Sequence, residues 1–278
     1  MGIDGSAESL NAANWAAREA RRRKLTLRLV HVDDAPAQPT GLSGPDAPAR
    51  GDRGGLDRAV RSLSHRNPGL DIISGTLTGP PAPALVNAAQ GSSALVVGSQ
   101  GHSALAGFLV GSVALAVTAQ ALCPVALIRA PRPQRPVSRR TRPAAIAPVV
   151  AGVDLDHDCD AVLAQAFAAA AQREAPLIVV SAWSLPLLPD TSSGIPEPET
   201  TRQRQLTALV GPWRSKYPHT PVTERLAHGR AGHILHQAST GASLLVVGRR
   251  THPAESLGRT LHAVIHHVAC PVVVIPHD

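Results

Sequence analysis

Short apolar runs alternate with longer stretches in which small apolar residues recur every three or four positions, along the whole 278-residue chain. Leu10, Ala13, Ala17 and Ala20 share one face of a helix over residues 7–23, and Ser6 stands ahead of it as an N-cap. A strand over 25–33 follows, then a Pro- and Gly-rich loop from Ala35 to Gly55. Helices over 56–66, 81–90 and 111–121 then alternate with strands over 70–78, 94–98 and 124–129. Strands separated by helices imply right-handed crossovers and a parallel sheet with helices on both faces. Continuous runs such as Leu95-Val96-Val97 suit strands buried on both sides.

The pattern is written twice. Ile3-Asp4-Gly5-Ser6 is echoed by Val153-Asp154-Leu155-Asp156, and the Ala-rich stretch 12–22 by 162–173. Leu95 to Gly98 is echoed by Leu245 to Gly248, and Cys123-Pro-Val-Ala-Leu-Ile by Cys270-Pro-Val-Val-Val-Ile. Two copies of one domain therefore occupy residues 1–130 and 147–278, joined by an Arg/Pro linker over 131–146. The expected fold is α/β: two tandem doubly wound domains, each with a parallel sheet.

Charge changes this picture little. Arg129, Arg132, Arg135, Arg139, Arg140 and Arg142 crowd one Pro-rich segment, and taking those six from the net +7 leaves +1. That reads as a solvated basic linker rather than a phosphate-tracking patch, and with aromatics at 2% no base-stacking platform exists, so no nucleic-acid partner is expected. Three cysteines without metal or disulfide spacing, and no apolar run of membrane-spanning length, predict a cytoplasmic protein away from membranes.

The candidate chemistry lies between Gly98 and Ser112. An apolar strand runs into Gly98 and Gly101, and after nine residues Gly111-Ser112 opens a helix. Strand-end glycines and a helix N-terminus make an anion site, because backbone N–H groups and the helix dipole both point at the charge. Asp4 ends the first strand of the same copy, where a carboxylate can accept ribose hydroxyls.

These residues resemble those of the universal stress protein family, in its ATP-binding subclass, over almost the whole chain. The resemblance implies five parallel strands per domain in the order 3-2-1-4-5. It implies ATP, with or without Mg2+, as the bound cofactor, and no catalytic residue. On this likeness Asp4 contacts the nucleoside and the backbone near Val32 borders adenine. Gly98, Gly101, His102, Gly111, Ser112 and Val113 surround the phosphates. The last strands of the two copies would pair as an internal pseudo-dimer, with a homodimer as a further possibility, and the protein partner is unknown. The implied role is a stress-response regulator; the same cradle would also suit a weak ATPase or nucleotide hydrolase, and the architecture a nucleotide-independent scaffold.

Two departures stand out. The family's opening strand carries more apolar residues before the Asp than Met1-Gly2-Ile3 provide, which leads us to expect that the natural start lies upstream. In the second copy, Thr251 stands for Gly101 and Arg259 for Ser112, so the C-terminal phosphate loop is degenerate. Arg249, Arg250 and Arg259 could still hold an anion electrostatically. Trp183 is placed near the second copy's pocket, and His262 and His266 share a helix face without a third metal ligand.

Overall fold

The structure is a computed structural model that describes residues 1–34, 53–99, 110–129, 146–184, 198–251 and 257–277. The chain divides into two compact units, Met1–Gln134 and Arg135–Asp278.

The first unit contains α1 (Ala7–Arg23), β1 (Leu27–Asp33), α2 (Arg53–Arg66), β2 (Ile72–Thr78), α3 (Pro81–Ala88), β3 (Leu95–Ser99), α4 (Ser112–Gln120) and β4 (Val125–Arg129). Helix α1 begins where the sequence places it because the Ser6 hydroxyl accepts from the Ser9 N–H. Its alanines 12, 13, 16, 17 and 20 are buried, and their small size lets the helix lie close to the sheet. Helix α2 starts at Arg53 rather than at 56, with two glycines in its first turn. Strands β1 and β2 pair in parallel, as do β3 and β4.

Residues Met1–Ile3 fit between these pairs. Gly2 N–H donates to the Val96 carbonyl (3.1 Å), Ile3 N–H to that of Val30 (2.8 Å), and Val30 N–H to that of Met1 (2.8 Å). His31 Nδ1 lies 2.9 Å from the Ile3 carbonyl. A carbonyl only accepts, so the His31 proton sits on Nδ1.

The second unit contains β5 (Val149–Val153), α5 (Asp160–Gln172), β6 (Leu177–Trp183), α6 (Glu199–Lys216), β7 (Val222–His228), α7 (Ala231–Ala238), β8 (Leu244–Arg250), α8 (Arg259–His267) and β9 (Val272–His277). Strand β5 pairs with both β6 and β8, β6 with β7, and β8 with β9, all in parallel. Strand β5 is thus flanked on both sides, and Val149, Val150 and Ala151 are fully buried in it. The aromatic side of this core is Phe167 on α5, packed against Trp213 on α6 and Tyr217, the C-cap just after it.

The repeat reaches the backbone. Lys24 and Glu174 both close an Ala-rich helix in the left-handed region, at φ 53° and 50°. Gly79 (φ 117°) and Gly229 (φ 139°) both follow a strand and donate their N–H to the end of its neighbour, at Asp33 and Trp183. No other residue type enters that φ range cheaply.

Candidate functional site

In the first unit the hydrogen bonds of Met1–Ile3 set Asp4 and Gly98 at the carboxyl ends of adjacent strands, the place where open α/β sheets bind ligands. Val32 lies one strand further out, half-buried and paired with Leu77. Asp4 Oδ1 accepts from the Ser6 N–H (3.0 Å) and the Ser6 hydroxyl (2.6 Å). Partial burial pushes the Asp4 pKa up, but hydrogen bonds from the Ser6 hydroxyl, Ser9 and the Ser6 backbone outweigh it, and the net shift is downward. Asp4 is therefore a held, ionised, exposed carboxylate.

Ser6 thus links the α1 cap to the site. We expect Ser6→Ala to cost about 1 kcal/mol in urea unfolding at neutral pH. Asp4, with its folded pKa depressed, stabilises above the ordinary carboxylate range and loses that contribution as pH falls through its folded pKa. The deficit of Ser6→Ala should therefore narrow in acid; a deficit that widens would contradict this linkage.

Gly98 has a packing reason to be glycine. A Cβ there would stand 3.0 Å from the Glu8 carbonyl carbon and oxygen and 3.1 Å from the Ser9 nitrogen. The first turn of α1 occupies that space, so close phosphate approach is not what the missing side chain is needed for.

Gly111 differs. It is the N-cap of α4 in extended conformation (φ −60°, ψ 148°); among the described residues no side chain caps the helix, and no atom stands within 4 Å of where a Cβ would be. Leu115 is the residue whose N–H closes back on the Gly111 carbonyl (3.1 Å), and the N–H groups of exposed Ser112, half-buried Val113 and Ala114 have no cap among the described residues. Gly101 and His102 lie outside the described residues.

The second unit presents a cavity of about 490 Å³ at the corresponding strand ends. Asp154 just after β5, Gly248, Arg249 and Arg250 from β8, and the start of α8 line it. Asp154 Oδ1 accepts from the Asp156 N–H (3.2 Å), and His157 Nδ1 lies 2.9 Å from Oδ2. His157 Nε2 in turn lies 3.0 Å from an Arg250 guanidinium nitrogen. Arg250 can only donate and Asp154 only accept, so a neutral His157 with its proton on Nδ1 serves both. The buried Cys159 thiol donates to the Asp154 carbonyl (3.2 Å), and burial pushes it up to about 11, which makes it a packing group rather than a nucleophile.

Residues 1–129 and 146–276 match the family model described as Universal stress protein family. The chain belongs to the universal stress protein family. It is 31% identical over 296 residues to the universal stress protein Rv2005c of Mycobacterium tuberculosis, covering 99% of this chain and 95% of that one. The universal stress protein Rv1996 of the same organism is 28% identical over 314 residues, covering 100% and 95%. The crystal structure of a universal stress protein from Archaeoglobus fulgidus superposes with a TM-score of 0.66 at 17% identity, over 100% of this chain and 97% of that one, a likeness of fold.

Within this universal stress protein one expectation needs correction. Ala182, not Trp183, lines the C-terminal cavity. Successive strand residues face opposite ways, and the Trp183 ring sits edge-on to His228 instead, with centroids 5.0 Å apart. The sequence reading also missed His157 as a partner of Asp154. Their three-residue spacing in a post-strand turn was the available signal. Among the described residues no group of three or more metal-binding side chains gathers, at the α8 histidines or elsewhere.

Proposed function

We propose that this universal stress protein is a nucleotide-responsive regulator rather than an enzyme, with ATP held by its N-terminal unit. The start of α4 supports the reading most. Among the described residues it offers N–H groups with no cap, behind a glycine with no atom within 4 Å of where a Cβ would stand, a setting suited to a phosphate. The ionised Asp4 at the neighbouring strand end suits ribose hydroxyls, and the backbone near Val32 suits the adenine edge. The strand end at Gly98 and the helix start at Gly111, Ser112 and Val113 suit the phosphate side, with Mg2+ as an optional counter-ion. The reading assigns no nucleophile or general base, so ATP occupancy acts as a signal and turnover is slow.

Gly111→Trp tests it. The φ of −60° suits any residue and no atom of the described residues stands within 4 Å, so the variant should fold while the indole fills the cradle. Without nucleotide its melting temperature should match that of the wild type, and co-purifying ATP should fall by about tenfold or more, equivalent to about 1.4 kcal/mol of binding. ATP retained at the wild-type level in a folded Gly111→Trp protein would overturn the assignment.

A further inference from the structure

We propose that His31 is a positioning residue: by holding the Ile3 carbonyl it keeps the Val32 amide open for the base of a bound nucleotide. Leu27 N–H donates to the Asp71 carbonyl (2.9 Å) and Gly79 N–H to that of Asp33 (3.0 Å). Parallel pairing alternates sides residue by residue, so Leu27, Leu29, His31 and Asp33 turn their backbone groups to β2. Val30 and Val32 turn theirs to Met1–Ile3. Val30 N–H accordingly donates to the Met1 carbonyl (2.8 Å), and Ile3 N–H to that of Val30 (2.8 Å). The next rung would join Val32 N–H to the Ile3 carbonyl, and it is missing. Pairing stops at Gly2 and Val30, and the Ile3 carbonyl takes the His31 Nδ1–H instead (2.9 Å). Among the described residues the Val32 N–H meets no acceptor, and it faces the side where Asp4 leaves the strand.

The second copy shows what happens without the imidazole. Gly152 pairs with Val180 as Gly2 does with Val30, so Ser181 stands for His31 and Ala182 for Val32. There the ladder runs one pair further, to Val153 and Ser181. Leu177 N–H donates to the Pro221 carbonyl (2.8 Å) and Gly229 N–H to that of Trp183 (2.9 Å), so β6 has the phase of β1. The extra pair therefore places the Ala182 N–H on the Val153 carbonyl. The same amide is spent on the sheet after a serine and left open after a histidine.

An open Val32 turns an N–H and a C=O to one side, the edge that a neighbouring strand would otherwise read. Adenine offers the complementary pair on its Watson–Crick edge, N1 as acceptor and the 6-amino group as donor. A base with no acceptor at N1 leaves the amide unpaired, which is how a hydrogen-bonding site rejects an analogue. The open amide is a property of this chain alone; its use by a base rests on the reading that the first unit holds ATP.

Hydrogen exchange in the nucleotide-free full chain reads the amide without any ligand. In the wild type the Val32 amide proton should exchange about tenfold faster than that of Ala182, or more, and His31→Ser should slow it to the Ala182 rate. His31→Asn sets a side-chain N–H about where Nδ1 stands, and should leave the Val32 rate unchanged. Calorimetry with ATP and with 1-deaza-ATP, in which a C–H replaces N1, then reads the base. The wild type should prefer ATP by about tenfold, the worth of one net hydrogen bond. His31→Ser should abolish that preference and His31→Asn keep it, while 1-deaza-ATP binds all three proteins alike.

A Val32 amide as protected as that of Ala182 in the wild type overturns the role of His31. Equal binding of ATP and 1-deaza-ATP by the wild type overturns the link to the base, and so does a folded His31→Ser protein that still prefers ATP. Loss of the preference in His31→Asn, or an equal loss of both nucleotides in His31→Ser, would reduce His31 to a packing residue and overturn it too. Failure of the ATP site itself would appear separately, as ATP retained by Gly111→Trp.

Discussion

Phe167→Ala is expected to cost about 3–5 kcal/mol, a large share of the roughly 5–15 kcal/mol that holds an ordinary domain together. Phe167 is fully buried in the middle of α5, and it meets Trp213 on α6 (centroids 6.0 Å apart) and Tyr217 at the α6 C-cap (5.5 Å). The neighbouring buried positions Ala166, Ala169 and Ala170 are too short to close the void that truncation would leave. Collapse of α6 onto the gap is opposed by its own anchors, since Leu206 and Val210 are already fully buried. Among the described residues the aromatic contact between α5 and the C-terminal end of α6 therefore centres on the Phe167 ring, in a chain whose aromatic content is 2%. Urea unfolding followed by tryptophan fluorescence measures the loss. Phe167→Leu, which keeps most of the volume, should cost less than about 1.5 kcal/mol. A Phe167→Ala protein within about 1 kcal/mol of wild type would show that the core relaxes more than this packing allows.

The strand–helix alternation was legible because each element carries its own local signal. The Ser6 cap and the three-to-four spacing of alanines put α1 at Ala7–Arg23, where the structure has it. Strand β1 starts at Leu27 rather than at 25 for a reason the pattern hides. Leu25 donates its N–H to the Ala20 carbonyl (2.9 Å), so an apolar residue that looks like strand is closing the helix. At the site, the positions of Asp4 and Gly111 could be read from the chain, since each stands at an element terminus. The reason for Gly98 could not, because it depends on how α1 crosses the end of β3. The Arg250–His157 contact joins residues 93 positions apart, so only the pairing of β8 with β5 reveals it. The motif reading treated the second copy as a worn version of the first. A lost glycine is visible in a sequence, but the arginine and histidine contacts that stand in its place are tertiary.

Gly98→Ala and Gly248→Ala, taken as a pair, separate packing from ligand approach. The distances alone rank them the wrong way. A Cβ at Gly248 would stand 2.5 Å from His277 Nε2, closer than the 3.0 Å between a Gly98 Cβ and the Glu8 carbonyl. What matters is which atom must yield. The atoms nearest Gly248 are side-chain atoms, the half-buried His277 ring at the end of β9 and a Val162 methyl (3.2 Å), which yield more readily than backbone. At Gly98 the nearest atoms are the backbone of Glu8 and Ser9 in the first turn of α1. Moving that turn strains the Ser6 cap and shifts the Asp4 loop tied to it. Overpacking against fixed backbone costs about 1–3 kcal/mol, so Gly98→Ala should lose that much stability in the nucleotide-free protein, and Gly248→Ala less than about 1 kcal/mol. Gly98→Ala should also weaken ATP, because the displaced α1 turn carries Asp4 away from the strand end. A nucleotide-free Gly98→Ala protein as stable as wild type, yet unable to hold ATP, would reverse the argument and give the glycine back to the phosphate.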